Sequence, residues 1–91
     1  MPTITLTIEH EAGLHARPLA QFVKTVNEFD AEVQVTNLTR EKGPVNGASP
    51  LSLLILAVLD GHQIEVAADG PQAVEVLSAL GELVNNNFGE E

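Results

Sequence analysis

Gly13-Leu14-His15-Ala16-Arg17-Pro18 stands directly ahead of an apolar-periodic segment that starts at Leu19. Glycine gives the backbone freedom before the histidine. Proline fixes φ just after the arginine and is tolerated in the first turn of a helix, whose N–H groups lack intrahelical partners. The stretch therefore predicts a helix with His15 at or near its N-cap, where amides and the positive end of the macrodipole face outward. Such a position suits an anion. With an imidazole there as nucleophile and a guanidinium close by, the matching anion is a phosphoryl group carried by the histidine itself.

Working outward, the chain alternates between periods of two and of 3.6 residues. Thr3 to Ile8 puts Ile4, Leu6 and Ile8 on one face and threonines on the other, a strand with one wet face. Ala16 to Phe29 carries Leu19, Phe22, Val23, Val26 and Phe29 at helical spacing. Glu32 to Thr36 alternates again, with Val33 and Val35 inward. Asn37 to Lys42 is polar and reads as a hairpin connection into a short strand around Lys42 to Val45. Pro44 removes a backbone donor there, which assigns that strand to a sheet edge.

Ser49-Pro50 opens a second helix, serine as N-cap and proline at the first helical position. The apolar run from Leu51 extends it through Leu59 to a stop at Asp60-Gly61. Gln63 to Ala68 is a further alternating strand. After Gly70-Pro71 a last helix carries Ala73, Leu77, Leu80 and Val84 as one stripe, flanked by Val76 and Leu83. The polar tail from Asn85 is expected to fray, and His10 and His62, which match no motif, to lie at the surface as ordinary residues.

The order β-α-β-β-α-β-α, with three strands showing a wet face, implies an α+β protein with an antiparallel sheet and helices on one side. Periodicity leaves two topologies open: a ferredoxin-like fold with an added helix, and an open-faced sandwich.

Composition narrows the function classes. Ninety-one residues are expected to form a single domain, residues 1–91. Cysteine is absent, which excludes disulfides and thiolate metal sites. No apolar run reaches spanning length, so a soluble cytoplasmic protein without membrane insertion is expected. A net charge of −9 argues against nucleic acid as a partner. All four basic residues, Arg17, Lys24, Arg40 and Lys42, fall in the first 42 positions beside six acids; the remainder holds seven acids and no Lys or Arg. Arg17 and Lys24 share the helix that His15 opens, seven apart and so on one face.

The hexapeptide resembles the active-site signature of the HPr family, the histidine-containing phosphocarriers of the phosphoenolpyruvate-dependent sugar phosphotransferase system. Val45-Asn46-Gly47-Ala48-Ser49 resembles that family's second signature, and the resemblance covers essentially the whole chain. It implies the open-faced β-sandwich, a four-stranded antiparallel sheet ordered first, fourth, second, third, with three helices on one face. It implies that His15, through Nδ1, accepts a phosphoryl group from phosphorylated enzyme I and passes it to enzyme IIA domains. Arg17 and the backbone N–H groups of Ala16 and Arg17 would stabilise the group, with no cofactor or metal at the site. Lys24, Leu51 and Leu54 would help dock partners, the protein acting as a monomeric carrier rather than an independent catalyst.

Ser49 aligns with the serine that an HPr kinase phosphorylates in many Gram-positive relatives, although a helix-opening serine before proline needs no such explanation. The competing reading is a binding-only regulatory module that docks a partner such as a transcriptional regulator, with Ser49 as its switch. The second helix favours docking in either case: stacking Leu53, Leu56 and Val58 on the sheet leaves Leu51, Leu54 or Ile55 near solvent.

Overall fold

The computed structural model describes residues 1–89. Strands β1 (Thr3–Thr7), β2 (Glu32–Asn37), β3 (Lys42–Asn46) and β4 (Gln63–Asp69) interleave with helices α1 (Ala16–Asn27), α2 (Pro50–Ile55) and α3 (Ala73–Asn85). A short 3₁₀ turn, Asn87–Gly89, follows. The four strands form one sheet in the order β1-β4-β2-β3, every neighbouring pair antiparallel. This is the open-faced sandwich and not the ferredoxin-like alternative. β3, with Pro44, is an edge strand, where a missing donor costs no ladder bond.

Alternation decides which face of the sheet is covered. Val33, Val35, Ile64, Val66 and Ala68 are buried beneath the helices. Their neighbours Thr3, Thr5, Glu32 and Gln34 lie on the open face and are exposed. Leu19, Phe22 and Val26 of α1 and Ala73, Val76, Leu77 and Leu80 of α3 supply the facing layer. Val76 belongs to the buried stripe itself, while Val84 is only half-buried at the end of the helix. Full burial of a side chain such as Phe22 contributes about 1.5–3 kcal/mol, and its loss would leave a cavity in a core with few aromatics.

Three expectations are corrected. The second helix stops at Ile55 rather than Leu59, because its later carbonyls have tertiary partners. The Leu56 carbonyl accepts from Asn37 Nδ2 at 3.0 Å and the Val58 carbonyl from the Leu14 amide at 2.9 Å. Ala57 turns the chain at φ 51°, the left-handed geometry of a helix stop. β2 extends to Asn37, which is fully buried and not part of a polar connection. Residues 86–89 are packed rather than frayed, with Phe88 only 2% exposed and edge-on to the His10 ring at 5.9 Å; Glu90 and Glu91, the end of the same expected tail, lie outside the described residues. An aromatic side chain has enough apolar surface to hold even a polar tail in place.

Candidate functional site

Two irregular segments meet beyond the end of β1, and His15 lies in one of them. Residues 8–15 and 56–62 run alongside each other, joined by three backbone hydrogen bonds. Ile8 donates to the His62 carbonyl at 2.9 Å, Gly61 to the Ile8 carbonyl at 2.6 Å, and Leu14 to the Val58 carbonyl at 2.9 Å. Gly13 makes this approach feasible. Its φ is 61°, and a Cβ there would overlap the Val58 carbonyl oxygen. Leu14 anchors the segment in the core, fully buried. The turn before it is closed by His10, whose carbonyl accepts from Gly13 and whose Nδ1 accepts from Ala12 at 3.0 Å.

His15 is the N-cap of α1, half-buried, with extended backbone at φ −133°, ψ 170°. Its ring makes no capping hydrogen bond to the helix. Its carbonyl accepts from Leu19 at 3.4 Å, the first bond of the helical ladder. Pro18 contributes no N–H, so Ala16 and Arg17 are the first-turn residues whose amides have no helical carbonyl one turn earlier to meet. Ala16 has φ 51°, a left-handed value that costs an L-residue of order 1–2 kcal/mol. Such strain concentrates at functional sites. Ala16 and Arg17 are both exposed, and the first turn contains no acidic residue to repel an anion.

His15, Ala16 and Arg17 thus converge on one helix start. Lys24 is exposed in the last turn of α1, roughly 10 Å further along the axis at 1.5 Å per residue. Ser49 is elsewhere, as the N-cap of α2, its Oγ accepting from the Ser52 amide at 3.2 Å. Leu51 and Ile55 are 70% and 64% exposed and Leu54 is 40% exposed, whereas Leu53 and Leu56 are buried. α2 therefore presents an apolar outer face.

His62 and His10 are not the ordinary surface residues expected. Both are half-buried, with Nδ1 accepting a backbone N–H: Leu59 at 3.1 Å for His62 and Ala12 for His10. The alternation Val33, Val35, Asn37 carried a signal for Asn37, the next inward position of β2. No motif marked His62. An open groove of about 510 Å³ between β1 and α3, lined by Ile4, Leu6, Val74 and Leu77 among others, has no titratable side chain in its lining. Among the described residues, no group of three or more His, Cys, Asp or Glu could hold a metal ion, and no helix is long and apolar enough to cross a membrane.

Comparison with known proteins gives a consistent result. Residues 2–86 match the family model described as the PTS HPr component phosphorylation site. The chain is 40% identical over 88 residues to the phosphocarrier protein NPr of Klebsiella oxytoca, covering 96% of this chain and 94% of that protein. It is 38% identical over 86 residues to the multiphosphoryl transfer protein of Haemophilus influenzae, of whose length it spans only 17%. Among solved structures, HPr-C-His from Thermoanaerobacter tengcongensis superposes with a TM-score of 0.92 at 34% identity, covering 100% of this chain and 99% of that one.

Proposed function

The chain belongs to the HPr family of the phosphotransferase system, and on that premise we infer that it carries a phosphoryl group on His15 from phosphorylated enzyme I to enzyme IIA-type acceptors. The observation that supports this most strongly is the start of α1. There an imidazole with no capping bond stands beside the first-turn residues Ala16 and Arg17.

Phosphoryl transfer asks a protein chiefly for position and charge stabilisation. In the loading step an unprotonated Nδ1 of His15 attacks phosphorus; the new N–P bond forms as the donor's bond to phosphorus breaks, and the electron pair stays with the donor. Arg17, with its planar fork of donors, and the first-turn amides favour the transferred dianion. The macrodipole adds a positive potential in the same place. In the unloading step the acceptor attacks from the opposite side and the N–P bond electrons return to the His15 ring.

Leu51, Leu54 and Ile55 form an exposed apolar face suited to docking, and Lys24 supplies a charge on the adjoining helix. Ser49 is the candidate for regulatory phosphorylation by an HPr kinase, at a helix start where added negative charge is tolerated. Residues 1–91 are read as one domain that works in the cytoplasm.

Reconstitution tests the relay. Phosphoenolpyruvate, enzyme I, this protein and an enzyme IIA domain should give a phosphorylated IIA only when all are present. A IIA that gains phosphate equally well without this protein would contradict the reading.

A further inference from the structure

The two loops that meet at His15 are held by a polar cluster that takes no part in the chemistry above. Asn37 is fully buried at the end of β2, and each of its side-chain atoms has a partner from a different segment. Nδ2 donates to the Leu56 carbonyl at 3.0 Å and lies 3.4 Å from His62 Nδ1; Oδ1 accepts from the Arg40 amide at 3.2 Å. His62 Nδ1 in turn accepts from the Leu59 amide at 3.1 Å, which requires the ring proton to be on Nε2. The His62 backbone closes the same turn, donating to the Leu59 carbonyl at 3.0 Å and accepting from Ile8 at 2.9 Å.

A buried amide with several partners is conformationally specific, since any shift leaves a donor or acceptor unmatched in a dry environment. Asn37 and His62 therefore fix the path of residues 56–62. That path presents the Val58 carbonyl to the Leu14 amide and lies where a Cβ on Gly13 would have to be. Leu14 is the residue immediately before His15.

We propose that Asn37 and His62 are positioning residues for His15, holding the 56–62 loop so that the Val58 carbonyl fixes Leu14 and with it the ring that receives phosphate. This rests on the carrier reading for its consequence, though not for its geometry. Neither side chain touches the phosphoryl group; they act through the backbone.

The test uses the full chain and three variants. His62→Phe keeps an aromatic ring but removes the acceptor. His62→Asn restores an acceptor atom at the δ position. Asn37→Asp keeps the oxygen facing Arg40 and removes the donor to Leu56. Leu14 amide exchange should rise about tenfold in His62→Phe and in Asn37→Asp, the effect of about one buried hydrogen bond, and return toward wild type in His62→Asn. The initial rate of His15 phosphorylation at saturating enzyme I should fall by about the same factor in both; in His62→Phe, which removes no hydrogen bond to α2, the half-saturating enzyme I concentration should be unchanged. Imidazole nitrogen shifts should report the Nε2–H form of His62 in the wild type.

Unchanged Leu14 exchange in both disruptive variants would overturn the proposal. So would a loss that His62→Asn does not rescue, which would indicate general destabilisation. If the wild type itself accepts no phosphate, the carrier reading fails while Leu14 exchange still decides whether the cluster controls this segment.

Discussion

α1 and α2 begin alike and end up chemically different. Each opens at an N-cap with extended backbone, His15 at φ −133° and Ser49 at φ −104°, and each has proline in its first turn. At Ser49 the side chain does what an N-cap side chain ordinarily does: its Oγ accepts from the Ser52 amide and closes the helix. At His15 the ring makes no such bond, and Ala16 behind it has a strained φ of 51°. One helix start is stabilised by its cap. The other leaves its cap side chain unused locally, beside an arginine and at the positive end of a twelve-residue helix. Two N-caps in one small fold therefore separate a structural task from a chemical one, and the separation can be tested at each.

The largest effect is expected from His15→Ala. Phosphoryl acceptance should vanish, while the thermal midpoint stays within about 4 °C of wild type because no capping bond is lost (roughly ±0.5 kcal/mol for a half-buried side chain without a helix-capping role). A phosphorylation assay and a melting curve on the same sample read both halves. Next comes Arg17→Ala. Loss of one charge-stabilising donor should slow His15 phosphorylation by roughly 10²-fold. Arg17→Lys should recover only part of that, since an ammonium lacks the planar fork; stopped-flow rates with phosphorylated enzyme I would separate the two variants.

Gly13→Ala should be intermediate and should affect both properties. A Cβ there meets the Val58 carbonyl, and φ is 61°, so a stability loss of about 1–3 kcal/mol is expected in urea unfolding. Transfer should slow as the two loops part. The smallest effect belongs to Ser49→Ala, about 1 kcal/mol of stability with His15 phosphorylation unchanged. If Ser49→Ala slowed phosphorylation as much as Arg17→Ala, the division of labour between the two caps would be wrong.

Much of this fold is legible in the sequence because its elements are locally consistent. The threonines of β1 alternate with Ile4 and Leu6, Val33 and Val35 mark β2, and Leu19, Phe22 and Val26 recur at helical spacing. Pro44 at the edge follows from a missing donor. The hexapeptide makes the position of His15 and Arg17 legible for the same reason: glycine permits the turn before the histidine and proline fixes φ just after the arginine. What escapes is non-local. The run Leu51 to Leu59 has no internal reason to break at Ile55; the break comes from Asn37 and Leu14, distant in sequence, which take the Leu56 and Val58 carbonyls. Phe88 looks like part of a polar tail until His10 is found beneath it. Asn37 looks like turn chemistry until its place in the alternation of β2 is combined with the loop it supports. His62 carries no signal at all, because its role depends on where the 56–62 turn lies in space.

The central claim is that, of the two helix caps, His15 is the one that holds phosphate. The direct measurement is phosphorus NMR, with site assignment, on the protein after incubation with phosphoenolpyruvate and enzyme I. The account predicts a single acid-labile phosphorus bonded to a ring nitrogen of His15, absent in His15→Ala. An acid-stable ester on Ser49 under the same conditions, or a phosphohistidine at His10 or His62 with His15 unmodified, would contradict it.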